Sequence, residues 1–572
     1  METRNCQNCK NDFTIEPDDF GFYEKMKVPA PTFCPECRSQ RRHAWRNSLS
    51  LYTRICDLCQ KSVVSIYAPN SGITVYCNKC WWSDKWDPKE YAMEYDFSRP
   101  FFEQFKELLY KVPHMAVVND DSIASLNCEY THDVWFAKNC YMTFSGWRIE
   151  NVFYSFYILA GKNIMDTLTH MTEAEYLYEC INCSRGYMLK NSFFSRACIN
   201  SQFLYDCQNC SDCFMCTGLR NKKYHYQNKE YTKEEYEQIL NSYRLDTFSG
   251  GERAQKEYDQ FILEYPRRYA WMKQNVDCTG DVVSYSRLTK DSFLVKELEN
   301  CRFVQFSNAN KGSYDVTMTG ELESCYESVV ADHCSQNLFG LFSVKSQDVQ
   351  YTQHCHSSRL LFGCAALRNA KYCILNKEYT KEEYEILVPK IIEHMNTVPY
   401  VDARGRHYRY GEFYPIEMSP FGYNETLAME HASLREDEIL ALGYKWQDHL
   451  QRTTGKETLL PDAIPESINE VEDSIVDEIL ACINCNRNYK IVSGELALYR
   501  KMQIPIPRRC FQCRHTARVA RRNPFKLWHR NCMCMKDSHD HAGKCANQFE
   551  TSYSPDRPEI IYCEGCYQRE VI

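Results

Sequence analysis

The sequence predicts a mainly β protein with some α, carrying a cysteine-rich metal module at each end of a duplicated β-repeat. Three observations lead there. Cys-x-x-Cys pairs crowd both ends of the 572-residue chain. The C-terminal cluster repeats the N-terminal one in register. Between them, short aromatic and β-branched runs recur at a spacing of 11 or 12 residues, in two copies 148 residues apart.

The first module, 1–87, holds four pairs: Cys6/Cys9, Cys34/Cys37, Cys56/Cys59 and Cys77/Cys80. Two intervening residues let one tight turn aim both sulfurs at a single ion. Two such turns complete a tetrahedron, and four thiolates leave no open position for water, which is the pattern of structural zinc. Eight cysteines therefore suggest two closed sites. The start of the chain has no apolar leader before Cys6, so the expected compartment is a reducing cytoplasm, where thiols persist and take up metal.

The last module, 481–572, repeats the arrangement. Cys482/Cys485 and Cys510/Cys513 reproduce the first two pairs with the same 24-residue gap, and Tyr23, Met26, Pro29, Arg46 and Cys56 face Tyr499, Met502, Pro505, Arg522 and Cys532 at one constant offset. Ten inserted residues follow. Register then resumes, with Cys59 facing Cys545 and Cys77/Cys80 facing Cys563/Cys566. The alignment selects Cys532 as the remaining ligand, with Cys534, His539 or His541 of the insertion as substitutes. The expected load is about four zinc ions per chain.

The segment from Cys6-Gln7-Asn8-Cys9 through Cys34-Pro35-Glu36-Cys37-Arg38 to Arg41-Arg42 resembles a zinc-ribbon or treble-clef domain found in many uncharacterised bacterial proteins. The continuation through Cys77-Asn78-Lys79-Cys80-Trp81-Trp82 resembles a larger uncharacterised bacterial zinc-binding family, over most of the chain. The resemblance implies zinc and no particular activity.

Each module also bears a basic stripe. Arg38, Arg41, Arg42 and Arg46 fall on one helical face, as do Arg514, Arg518, Arg521 and Arg522. From Leu496 to Lys536 there are eleven Lys/Arg and no Asp or Glu, in a chain of net charge −8. With His43, Trp45, Trp528 and His529 interleaved, the stripe suits RNA or DNA: phosphate contact with base stacking. The competing reading pairs these arginines with acidic residues of the same chain, such as Glu466, Glu470, Glu472, Asp473, Asp477 and Glu478.

The middle comprises a helical connector (88–126), a first β-repeat (127–245), a second connector (246–280), a second β-repeat (281–396) and a connector with linker (397–480). Leu219-Arg220-Asn221 and Asn228-Lys229-Glu230-Tyr231-Thr232 recur as Leu367-Arg368-Asn369 and Asn376-Lys377-Glu378-Tyr379-Thr380. Thr232/Glu235 and Thr380/Glu383 are capping boxes that start a helix after each repeat. Upstream, Lys138-Asn139, Glu150-Asn151 and Lys162-Asn163 keep a spacing of twelve. This rhythm predicts a parallel β-solenoid with a coil of two half-turns, or else an antiparallel sandwich. The run Cys207-x-x-Cys210-x-x-Cys213-x-x-Cys216 reads as buried core, with a further metal site using Cys180/Cys183 and Cys207/Cys210 as the alternative. Phe101, Phe102, Phe105, Leu108 and Leu109 form the packing stripe of the first connector.

No phosphate loop, zinc-protease helix or nucleophile elbow occurs, so the sequence predicts a non-catalytic protein. The most apolar stretch, near Val152–Gly161, is too short to span a bilayer. Expected partners are nucleic acid at the modules or proteins at the repeats. A groove enzyme built on the repeats is a third reading.

Overall fold

The computed structural model describes the chain except residues 49, 121–123, 170–172, 321, 333–334, 451–452 and 572. It divides into two compact units. One contains Met1–Val117, Ala270–Leu450 and Phe525–Leu527. The other contains Val118–Tyr269, Gln451–Pro524 and Trp528–Ile572. The first metal module thus shares a unit with the second β-repeat, and the last module with the first repeat.

Helix and strand are mixed, with strand the larger share. The first repeat is a sheet that runs from Leu126–Glu129 to Lys223–Tyr226, its strands following sequence order from Lys138–Tyr141 onward, with His132–Trp135 paired to Phe144–Phe153. Pairing is parallel: Gly146 faces Ile158, Leu177 faces Leu189, and Leu189 faces Ser201. The second repeat does the same, with Val283 facing Val295, Val349 facing Leu361 and Leu361 facing Cys373. These sheets are not an antiparallel sandwich. Residue i pairs with i+12, so the pairing register repeats every twelve residues.

Within the spacing of twelve lies a finer period of three. Asn200, Phe203, Asp206, Asn209, Asp212 and Met215 all have φ between 47° and 57°. The residue after each one, Ser201, Leu204, Cys207, Cys210, Cys213 and Cys216, is at most 1% exposed. Every third residue turns the chain left-handed and the next points inward. A left-handed non-glycine residue costs roughly 1–2 kcal/mol, less for Asn and Asp, so stacking must over-determine it. Inward serines help. Ser192, Ser195 and Ser201 accept from the backbone N–H groups of Leu204, Cys207 and Cys213, each twelve residues on.

The Lys-Asn rhythm has the same origin. Asn127, Asn139, Asn151 and Asn163 occupy left-handed corners and form an amide ladder with steps of 3.1, 3.1 and 2.9 Å. Beside it, Glu150 pairs with both Lys138 and Lys162.

A short antiparallel strand closes each sheet, and both capping boxes form, starting helices Lys233–Ser242 and Lys381–Thr397. In the unit carrying the second repeat, helix Phe101–Lys111 buries all five residues of its expected stripe. Among the described residues, no helix is long and apolar enough to cross a membrane.

Candidate metal centres

Each predicted set of four cysteines converges on one point. Cys6/Cys9/Cys34/Cys37, Cys56/Cys59/Cys77/Cys80, Cys482/Cys485/Cys510/Cys513 and Cys532/Cys545/Cys563/Cys566 each place their sulfurs within 4.8 Å of one another. The local construction recurs. The first pair sits at the turn of a hairpin, such as Glu2–Asn5 with Asp12–Ile15. The second pair begins a helix: Cys34, Cys77, Cys510 and Cys563 are each the residue before the first helical turn.

The same hydrogen bonds hold all four. The backbone N–H of Cys6, Cys56, Cys482 and Cys532 donates across the turn to Asn11, Lys61, Arg487 and Asn547 at 2.8–2.9 Å. The backbone N–H of Cys34, Cys77, Cys510 and Cys563 donates to the Sγ of Cys6, Cys56, Cys482 and Cys532 at 3.2–3.3 Å. Such donors favour the thiolate. The N–H of Lys61 helps hold the Cys59 thiol down at about 7. At Cys482, burial pushes the thiol up, but the N–H groups of Cys510, Asn484 and Cys485 prevail and bring it to about 7.

Sulfur separations provide a test of fit. Metal–sulfur bonds of about 2.3 Å in a tetrahedron require S···S edges of about 3.8 Å. Cys9–Cys34, Cys59–Cys77, Cys482–Cys513, Cys485–Cys510 and Cys545–Cys563 measure 3.7, 3.9, 3.8, 3.6 and 4.0 Å. A disulfide would be near 2 Å. The residues present therefore fit four closed sulfur sites, and Cys532, not Cys534, completes the last.

Cys534, His539 and His541 do not substitute for Cys532. They form a separate group together with Cys566. All three lie in the segment between Cys532 and Cys545 that carries the ten-residue insertion.

The basic stripes are placed differently from the expectation of phosphate contact. Arg38, Arg41, Arg42 and Arg46 are at most 1% exposed, and Arg514 and Arg518 at most 6%. Arg38 and Arg42 both pair with Asp315 at 2.9 Å, while Arg41 pairs with Glu327 at 2.9 Å and Glu412 at 3.4 Å. In the other unit Arg514 and Arg518 share Asp166 at 3.0 and 2.9 Å, and Arg518 also reaches Glu179 at 2.8 Å. Arg521 pairs with Asp259 at 2.9 Å, and Arg522 is half-buried. A guanidinium enclosed against a carboxylate cannot reach a nucleic-acid backbone, so phosphate contact through the buried arginines is corrected. His43 and Trp45 are buried too, stacked on His431 and packed against Tyr414.

Four of the carboxylates that neutralise the stripes, Asp166, Glu179, Asp315 and Glu327, lie at left-handed corners of the repeats, with φ of 46–63°. Of the acidic residues considered from sequence, Glu466 pairs with Arg508 and Asp473 with Arg500.

The repeat cysteines form no metal group among the described residues. Cys180, Cys183, Cys207, Cys210, Cys213 and Cys216 occupy the inward position of the three-residue period, and each thiol donates to a backbone carbonyl nine residues on.

No protein-family model matches the sequence, and no curated protein matches it either.

Proposed function

We propose that this chain is a non-catalytic, zinc-ordered scaffold for protein partners. In this reading zinc fills the four sulfur tetrahedra, folding each zinc-ribbon-like module from segments too short to bury a core of their own. Each module then braces a β-solenoid of twelve-residue coils through its arginines. The observation that carries the reading is the enclosure of those arginines by repeat carboxylates of their own unit, Arg42 on Asp315 in one and Arg518 on Asp166 in the other. Sulfur-only ligand sets support a structural role for the metal, since they offer no open coordination position.

The recognition surface in this reading is the outer face of the repeats. Tyr187 and Ile199 are 43% and 45% exposed and adjacent in parallel register. Phe136 and Trp147 are also exposed, with ring centroids 4.8 Å apart. Rigid exposed aromatics of this kind are common anchors of protein interfaces.

Crosslinking in native cells, followed by purification with and without nuclease, tests the proposal. The expected result is a protein set that survives nuclease and is lost from a Trp147→Asp/Tyr187→Asp variant of unchanged zinc content. Recovery of RNA or DNA whose retention falls steeply with salt would instead establish a nucleic-acid function and reject the scaffold.

A further inference from the structure

We propose that the ten-residue insertion of the last module builds a fifth zinc site, joined to the fourth through a shared thiolate, Cys566. The inference rests on the reading of the four sulfur tetrahedra as zinc sites. Its ligands would be Cys534, His539, His541 and Cys566, while Cys566 also completes the set with Cys532, Cys545 and Cys563. Two ions would then be held by five cysteines and two histidines.

Geometry supports it first. His539 Nδ1 lies 3.2 Å from the Cys534 Sγ, and His541 Nε2 lies 3.4 Å from the Cys566 Sγ. A tetrahedral zinc with one sulfur and one imidazole nitrogen requires an S···N edge of about 3.5 Å. The four donor atoms lie within 4.8 Å of one another.

The outer nitrogens of both rings are the second, independent observation. His541 Nδ1 faces the Gly543 carbonyl at 2.9 Å. A carbonyl only accepts, so the ring proton sits on Nδ1 and the Nε2 lone pair faces the cluster. His539 Nε2 faces the Glu570 carboxylate at 3.0 Å, which places its proton outside and the Nδ1 lone pair inside. Anchoring the far nitrogen of a ligating imidazole by a carboxylate or carbonyl is how metal sites orient histidine. The insertion maintains this arrangement. Gly543 N–H donates to Asp537 at 2.7 Å, and Cys545 N–H donates to the Cys534 carbonyl at 3.0 Å.

Charge balance favours the second ion. Four thiolates around one Zn²⁺ carry a net charge of −2. Adding Cys534, two neutral imidazoles and a second Zn²⁺ brings the joined pair to −1. Lys536, paired with Glu570 at 2.7 Å, lies beside the His539 anchor. Without a second ion, the same contacts would be ordinary S–H···N hydrogen bonds, and that is the competing outcome.

Native mass spectrometry of the zinc-loaded full chain distinguishes the two. The expected count is five ions in the wild type and four in a Cys534→Ser/His541→Gln variant. A wild-type count of four, unchanged in the variant, would overturn the fifth site and leave the four sulfur sites standing. A count below four would overturn both. A second readout needs no variant. Two Co²⁺ ions sharing a thiolate couple magnetically, so the electron paramagnetic resonance of the Co²⁺-loaded wild type should account for three isolated ions of five. Full intensity from every bound ion would reject the bridge.

Discussion

The Arg42 guanidinium lies 2.9 Å from the Asp315 carboxylate, and neither side chain is exposed to water. Arg38 meets the same carboxylate at the same distance. Two buried cations sharing one anion depend on it, because removing one partner of a buried pair strands an uncompensated charge at a cost of about 3–5 kcal/mol. Asp315→Ala should therefore lower the melting temperature of the zinc-loaded protein markedly. A surface control such as Glu103→Ala, an exposed residue paired with half-buried Arg99, should have almost no effect. Scanning calorimetry of both variants checks this.

Metal removal should act on the modules first. If zinc fills the four sulfur sites as proposed, chelation would withdraw the ion that joins each hairpin turn to its helix start. Cys9→Ser and Cys485→Ser should each lower the zinc content by one ion and destabilise the module concerned, while the circular-dichroism signal of the repeats persists. Elemental analysis against protein concentration gives the count. Simultaneous loss of repeat structure would show that the modules are required for the repeats to fold.

The sulfur sites were legible in the sequence because a Cys-x-x-Cys turn is local, and the internal alignment chose Cys532 from spacing alone. The arginine stripe was equally legible as a helical face, but its partner was not. Arg38 and Asp315 are 277 residues apart, and nothing in a single sequence links them. The twelve-residue rhythm was visible through its Asn ladder. The three-residue rhythm beneath it was concealed, because left-handed corners at Phe203 or Met215 carry no propensity signal. As a result Cys207-x-x-Cys210-x-x-Cys213-x-x-Cys216 imitated a metal motif although its spacing is that of the inward positions.

That explanation predicts an inert cysteine run. Burial raises the Cys207 thiol well above its ordinary value, and inward serines occur in the same columns, with Ser201 one repeat before Cys213. Cys213→Ser should leave zinc content unchanged and cost no more than about 1–2 kcal/mol, the scale of a modest core substitution. In the native protein Cys207 and Cys213 should resist alkylation until denaturant is added. Mass spectrometry of alkylated peptides reads this directly. Rapid labelling of Cys213 under native conditions would contradict its inward placement.

A buried carboxyl gives a pH signature opposite to that of the metal sites. Glu495 is fully enclosed and accepts from Tyr154 at 2.8 Å and Tyr499 at 2.7 Å. Burial raises its pKa to about 7, against the partial opposition of Arg514. The native state therefore binds this proton more tightly than the unfolded chain does. Its contribution to stability is complete below about pH 4.5 and declines as pH rises through 7, by up to about 3 kcal/mol for a shift of this size. Zinc binding changes in the other direction, strengthening as thiols deprotonate, so the comparison must be made between variants. Glu495→Gln keeps the side-chain volume and cannot ionise. The melting temperature of zinc-saturated Glu495→Gln, measured relative to wild type, should rise between pH 6 and pH 8.5. A difference that stays flat across that range would mean that Glu495 remains ionised throughout.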